Sequence, residues 1–201
     1  LMSAYSLYSQ MYFIDAIEEI ERFLKKYPNH ERENYAHYIM ALSYYDQIVD
    51  EKKDLKPLVK AKENFEIIIK KYPKSEFAFD SEIKLEAIRE ILASKEMYTA
   101  KYYFDREKWI PAINRYKVIL EKYETTIFAE EALHRLVEIH YKIGLENEAQ
   151  KYAILLGYNY QSSEWYEETY KIFNKDYEKI SARKKKSKTK STLEKLKSLI
   201  Q

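Results

Sequence analysis

Large and small apolar positions recur along this chain at helical spacing, and the same spacing returns in three separate stretches. AIEEIERFLKKYP from Ala16, AKENFEIIIKKYP from Ala61 and AINRYKVILEKYE from Ala112 align without gaps. Each opens on alanine and places a large side chain four residues on (Ile20, Phe65, Tyr116). Two more follow at seven and eight residues (Phe23 and Leu24, Ile68 and Ile69, Ile119 and Leu120), and a tyrosine closes each stretch (Tyr27, Tyr72, Tyr123). Positions so spaced share one face of a helix with 3.6 residues per turn. Each stretch is therefore predicted to be an amphipathic helix whose N-terminal end packs closely.

Prolines punctuate these helices. Pro28 and Pro73 directly follow two of the closing tyrosines, where proline cannot continue a helix. Pro57 and Pro111 fall near helix starts, where a missing N–H costs little. A second helix is expected upstream of each stretch. Ala4 and Leu7 precede Ala16, and Ala100 and Tyr103 precede Ala112, with the alanines of each pair twelve residues apart. A weaker fourth unit runs through Leu133, Leu136 and Val137, turns at Gly144 and continues through Ala149, Ala153 and Leu156.

Paired helices with alanine notches, an aromatic and a closing proline are the tetratricopeptide pattern. The predicted fold is all-α, a right-handed superhelix of such helix–turn–helix units with one extra helix. The copies lie 45 and 51 residues apart, against about 34 for a minimal unit. Two insertions account for the excess. Residues 46–56 are polar and expected to form a loop; residues 75–93 have helical period (Phe77, Ile83, Leu85, Ile88, Leu92) and are expected to form the extra helix. Ser162 and Ser163 offer an N-cap for a last helix over about 164–177. The expected organisation is a repeat domain over 1–175, of about four units, and a basic, disordered tail over 176–201.

Composition narrows the function. Only two glycines occur in 201 residues, which disfavours β-rich folds and Gly-rich phosphate loops. There is no cysteine, hence no disulfide and no thiolate chemistry. No apolar run reaches the ~20 residues of a membrane-spanning helix. Residues 1–12 lack a basic n-region and begin in mid-pattern, as the interior of a longer chain would. The net charge of +2 conceals an asymmetry: residues 181–201 hold eight Lys or Arg and one Glu, so the remainder is mildly acidic. An acidic body argues against nucleic acid as a partner. Six basic residues fall within 183–190. They read as a solvated tail, with acidic lipid headgroups or an acidic partner as alternatives.

Candidate chemistry is sparse. Glu130 and His134 stand at i, i+4, but His140 lies about 120° away around the helix, too far to join a metal site. The four histidines (His30, His37, His134, His140) are expected to be solvated helix-surface residues. No catalytic constellation is present, so no enzyme activity, metal or cofactor is expected. Among the 21 tyrosines, Tyr27, Tyr72, Tyr103, Tyr116 and Tyr123 fall at packing positions. Tyr12, Tyr35 and Tyr38 lie off that face and are candidate lining for a peptide groove, because tyrosine gives large contact area at low entropic cost. Plain packing is the alternative for them.

Three stretches resemble a known family more closely than a generic repeat would. YPNHERENYAHYIMALSYYDQI from Tyr27, KKYPKSEFAFDSEIKLEAIREILASKEMYTAKYYFDREKWIPAINRY from Lys70 and LGYNYQSSEWY from Leu156 are similar to the BamD family. These are lipoproteins of the bacterial outer-membrane β-barrel assembly (BAM) complex. The resemblance covers about 1–175 and departs from the family pattern at Glu124, which stands where proline is expected and implies a less sharp helix end. The family's signal peptide, acylated cysteine and first repeat are not in this sequence, and the basic tail lies outside the shared pattern.

The resemblance implies a non-enzymatic scaffold at the periplasmic face of the outer membrane, lipid-anchored in the full-length protein of a Gram-negative bacterium. The implied partners are a BamA-like POTRA domain, other BAM lipoproteins and unfolded β-barrel outer-membrane proteins. Asn114 and Arg115 match the family's N-R pair in the last full repeat and are the implied partner contacts. Arg115 sits between the packing positions Ala112 and Tyr116, where it can project its guanidinium from the surface to a carboxylate. A generic tetratricopeptide adaptor for a cytosolic peptide or partner protein is the alternative.

Overall fold

A computed structural model describes residues 1–47 and 55–173. The expected tail over 176–201, the end of the last helix and most of the expected loop over 46–56 lie outside these residues. Among the described residues there are nine helices and no strand. They fall into two compact units, Leu1–Tyr98 and Thr99–Gln201. The first contains α1 (Met2–Ser9), α2 (Phe13–Lys26), α3 (Glu33–Tyr45), α4 (Lys56–Lys71) and most of α5 (Glu76–Phe104). The second contains the end of α5, α6 (Trp109–Lys122), α7 (Phe128–Lys142), α8 (Glu146–Asn159) and α9 (Glu164–Phe173).

The alanine notches lie where the helical period puts them. Ala16, Ala61, Ala112, Ala100 and Ala149 are all 0% exposed, and Ala4 is 1% exposed. A methyl side chain at each lets neighbouring backbones approach, and the large residues one turn on (Ile20, Phe65, Tyr116) fill the space beside them, also at 0%. In the first unit α1, α2 and α3 share one core (Ala4, Ile17, Ile20, Ala36, Ile39, Met40). The α3–α4 pair and the first half of α5 share another, built on Leu58, Phe65, Ile68, Leu85 and Ile88. In the second unit α7 is packed by α6, α8 and α9.

Three hairpin turns have one geometry. Met11, Glu107 and Gly144 each adopt positive φ, at 64°, 56° and 81°. One residue later an N–H reaches back across the turn: Tyr12 to the Leu7 carbonyl, Lys108 to Tyr103, and Leu145 to His140, at 2.9, 3.0 and 2.8 Å. This is the Schellman closure, which satisfies carbonyls left open at the end of a helix. Only one of the three positions is glycine, so a Gly-poor sequence does not betray the other two.

The second helix of each hairpin also ends in a shared way. Tyr27, Tyr72, Tyr123 and Tyr160 cap α2, α4, α6 and α8 with φ between −129° and −138°. The last three tyrosine carbonyls accept the N–H of Ser75, Thr126 and Ser163, three residues on. The Thr126 hydroxyl doubles its bond to Tyr123, and the Ser163 hydroxyl accepts the Tyr166 N–H at the start of α9. Tyr123 lacks a following proline, yet α6 stops as sharply as the others. The less sharp end expected at Glu124 does not occur, because the Tyr-x-x-Ser/Thr turn stops the helix.

The extra helix is not a separate element. Residues 76–104 form one 29-residue helix, joining the insertion to the first helix of the third hairpin. No glycine or proline lies in that stretch, and nothing else interrupts the ladder.

Candidate functional site

In the first unit three aromatic rings form a row. Tyr35 and Tyr38 lie one turn apart on α3, and Phe77 stands at the start of α5. Tyr38 stacks on Phe77 with ring centroids 4.7 Å apart and planes at 26°; Tyr35 lies 5.6 Å from the same ring, tilted. Phe65 of α4 meets the edge of Tyr38 from the core side. All three rings of the row are half-buried, so each keeps part of its surface in water.

Carboxylates hold the phenols in place. The Tyr38 hydroxyl donates to Asp80 Oδ2 at 2.8 Å, and the Tyr8 hydroxyl of α1 donates to Asp46 Oδ2 at 2.7 Å. Burial, then the bond to Asp80, pushes the Tyr38 pKa up to about 12; burial and Asp46 push Tyr8 up as well. Both phenols stay neutral at physiological pH. Lys84 lies over the Tyr45 ring at 5.0 Å. The first unit thus offers aromatic faces with fixed phenols, suited to an apolar or aromatic peptide.

Tyr12 stands apart from this row. It is the N-cap residue of α2, 56% exposed, beside exposed Met11. Two shallow clefts flank that turn. One is lined by Tyr12, Ile14, Asp15 and Gln47, the other by Tyr8, Ser9 and Asp46, and they share Met11 and Phe13. The sequence grouped Tyr12 with Tyr35 and Tyr38; the structure brings only the last two together, on Phe77.

Cross-helix polar contacts lock α3 to α4 beneath the row. Lys71 donates to Glu33 Oε1 at 2.8 Å, and His37 Nδ1 lies 2.9 Å from Asn64 Oδ1. The Lys71 bond holds the Glu33 carboxyl below the ordinary carboxylate range.

In the second unit Asn114 and Arg115 are exposed on α6, between buried Ala112 and buried Tyr116. Packing fixes their helix, while their own side chains face outward. Of the tyrosines placed at packing positions, Tyr116 is fully buried, Tyr72, Tyr103 and Tyr123 are half-buried, and Tyr27 is 45% exposed.

Two histidines contradict the expectation of solvated surface residues. His134 and His140 are 7% and 6% exposed. His134 Nδ1 meets the Thr169 hydroxyl of α9 at 2.8 Å, its ring lies against Trp165, and burial lowers its pKa. His140 Nδ1 meets the Leu136 carbonyl at 2.6 Å and its ring lies against Tyr152. Helices on three sides of α7 leave it little solvent face. The repeat alignment carried a signal for His140, which takes the position of Leu7 and Tyr103.

A cationic–aromatic cluster escaped the sequence reading. The Arg135 guanidinium sits 5.3 Å from the Phe104 ring and 5.4 Å from Trp165 while bonding Glu138 at 2.8 Å. Lys142 lies over Phe104 and Trp109, which meet edge to face. These residues come from α5, α6, α7 and α9, and no local pattern announces them. Among the described residues, no group of three or more metal-ligating side chains stands together, and no helix is long and apolar enough to cross a membrane.

A family model described as an outer membrane lipoprotein, YfiO, matches residues 1–155. The outer membrane protein assembly factor BamD of Rickettsia prowazekii is 38% identical over 172 residues, covering 86% of this chain and 68% of the relative. The protein of the same name from Caulobacter vibrioides is 34% identical over 174 residues, covering 87% and 57%. That of Vibrio cholerae is 29% identical over 150 residues, covering 70% and 62%. The chain thus spans roughly three-fifths to two-thirds of the length of these relatives.

Proposed function

We propose, because the chain belongs to the BamD family of outer-membrane lipoproteins, that it acts in outer-membrane protein assembly as a scaffold without catalytic chemistry. Its first unit receives the extended, aromatic-ended strand of an unfolded β-barrel chain. The half-buried row Tyr35–Phe77–Tyr38 supports this reading: its rings are held by packing and by Asp80, yet keep free faces. Preorganised aromatic faces reduce the ordering cost of binding a peptide. The second unit docks on the POTRA region of the central BamA-like subunit through Asn114 and Arg115, and smaller lipoproteins of the complex join it. The family's lipid anchor holds such a body at the periplasmic face of the outer membrane.

Photo-cross-linking tests the groove. A synthetic peptide carrying a barrel C-terminal strand is expected to label a photoreactive residue placed at Tyr35, and to lose most of that label in Phe77→Leu. Labelling that ignores both Tyr35 and Phe77 while the helical content is unchanged would sink the assignment.

A further inference from the structure

The aromatic row of the first unit has ends of opposite charge. Arg32 is the N-cap residue of α3 and Asp46 its C-cap residue. Helix α5 runs beside α3 in the same direction: Phe77 meets Tyr35 and Tyr38, Asp80 meets Tyr38, and Lys84 meets Tyr45. Arg32 is exposed, and its guanidinium makes no ion pair or hydrogen bond with the other described residues. Glu33, the acid next to it, is taken by Lys71 of α4. Further along, Asp80 accepts the Tyr38 hydroxyl and Asp46 the Tyr8 hydroxyl, while Lys84 is laid over the Tyr45 ring. A cation thus stands at one end of the row, and carboxylates stand at its middle and its other end.

Arg32 lies one helical turn before Tyr35, a rise of about 4.5 Å, on the same face of α3. Burial, then the Tyr5 phenol, raises the Tyr35 pKa, and the Arg32 charge opposes the rise. The guanidinium is therefore within electrostatic reach of the first ring of the row. Tyr5, 46% exposed, brings α1 to the same spot. In the last residue of a peptide, the side-chain ring and the α-carboxylate hang from one Cα. A ring seated on Tyr35 and Phe77 carries its carboxylate toward Arg32, where a planar guanidinium can hold it by two parallel hydrogen bonds. The reverse orientation would bring the carboxylate to Asp80 and Asp46, which repel it. From Arg32 to Asp46, α3 covers about 21 Å, the length of about six residues of extended chain.

We infer, building on the assignment of this groove to an aromatic-ended strand, that Arg32 receives the strand's C-terminal carboxylate while the terminal ring lies on Tyr35 and Phe77. The strand then runs back along α3, over Tyr38 and toward Tyr45. The groove selects a free chain end with an aromatic last residue, and it fixes the direction in which that end enters.

Two peptides of one barrel C-terminal strand ending in Phe test this, one with a free C-terminal carboxylate and one with a C-terminal amide. Calorimetry on the intact chain should give the acid about tenfold higher affinity, the scale of one charge-assisted hydrogen bond at an exposed site. Arg32→Gln should bring the acid down to the amide and leave the amide unchanged. Arg32→Lys should keep part of the preference. Arg32 is exposed, so the circular dichroism of both variants should match the parent. Lys84→Gln, at the far end of the row, should leave the preference intact. Equal binding of acid and amide, with the Tyr35 cross-link retained, overturns the role of Arg32 and leaves the groove standing. A preference that survives Arg32→Gln overturns it too. So does one erased by Lys84→Gln, which would place the chain end by Tyr45. Absence of binding by either peptide removes the groove and the role of Arg32 together.

Discussion

The phenol of Tyr38 on α3 donates a hydrogen bond to the carboxylate of Asp80 on α5, 42 residues along the chain. The bond fixes a ring that also stacks on Phe77, so orientation and packing are held by separate groups. Tyr38→Phe removes only the first. Chemical denaturation should show a loss of about 1 kcal/mol, the net contribution of one hydrogen bond, while cross-linking of the barrel peptide persists. A Tyr38→Phe protein as stable as the parent would show that Asp80 contributes nothing to the row.

Arg115 is exposed between two buried neighbours, so its replacement should leave the fold alone. Arg115→Ala is expected to weaken binding to an isolated POTRA domain about tenfold, the scale of one charge-assisted hydrogen bond. Equal affinity by calorimetry would retire Arg115 as a contact.

Glu107 occupies the left-handed position of the α5–α6 turn, where a side chain is strained and glycine is not. Glu107→Gly should stabilise the protein by roughly 0.5–1 kcal/mol after the greater freedom of glycine in the unfolded chain is deducted. A thermal melt that falls would mean the Glu107 side chain contributes more than the strain costs.

His134 gives the α7–α9 contact a pH dependence. Burial, then the Arg135 charge, lowers its pKa, against the opposing pull of Glu138, Glu168 and Glu131. The unfolded chain therefore takes up the proton more readily than the folded one. Stability from this site is complete above about pH 6.5, the ordinary imidazole value, and declines as the pH falls below it. Amide exchange in α9 should accelerate over that range, and His134→Gln should flatten the dependence. A parent profile already flat between pH 7 and 5 would refute the linkage.

The Tyr116 hydroxyl is buried with no hydrogen-bond partner among the described residues. Burial raises its pKa, and Phe65 fills the same repeat position without a hydroxyl. Tyr116→Phe should raise stability by around 1 kcal/mol, since an unpaired buried polar group is costly. A destabilised Tyr116→Phe protein would reveal a bonding partner for the hydroxyl.

Much of this fold could be read from residue size and spacing. Ala16, Ala61 and Ala112 were set apart by period alone, and all three are enclosed. What escaped is set by distant residues. Tyr38 and Asp80 share no local pattern, and Arg135 meets Trp165 only because α9 lies on α7. His134 and His140 looked polar and therefore solvated, yet helices on three sides leave α7 almost no solvent face. The continuity of α5 had a visible cue, an unbroken run without glycine or proline. The repeat template suggested a break there.

The closing tyrosines have a consequence for how these repeats tolerate change. Stopping a helix here rests on a main-chain turn at Ser75, Thr126 and Ser163, reinforced by the hydroxyls of Thr126 and Ser163, and proline is an accessory. Substituting Pro73 should therefore be nearly silent, and joints between hairpins can drift in sequence at that site without altering where each rod ends.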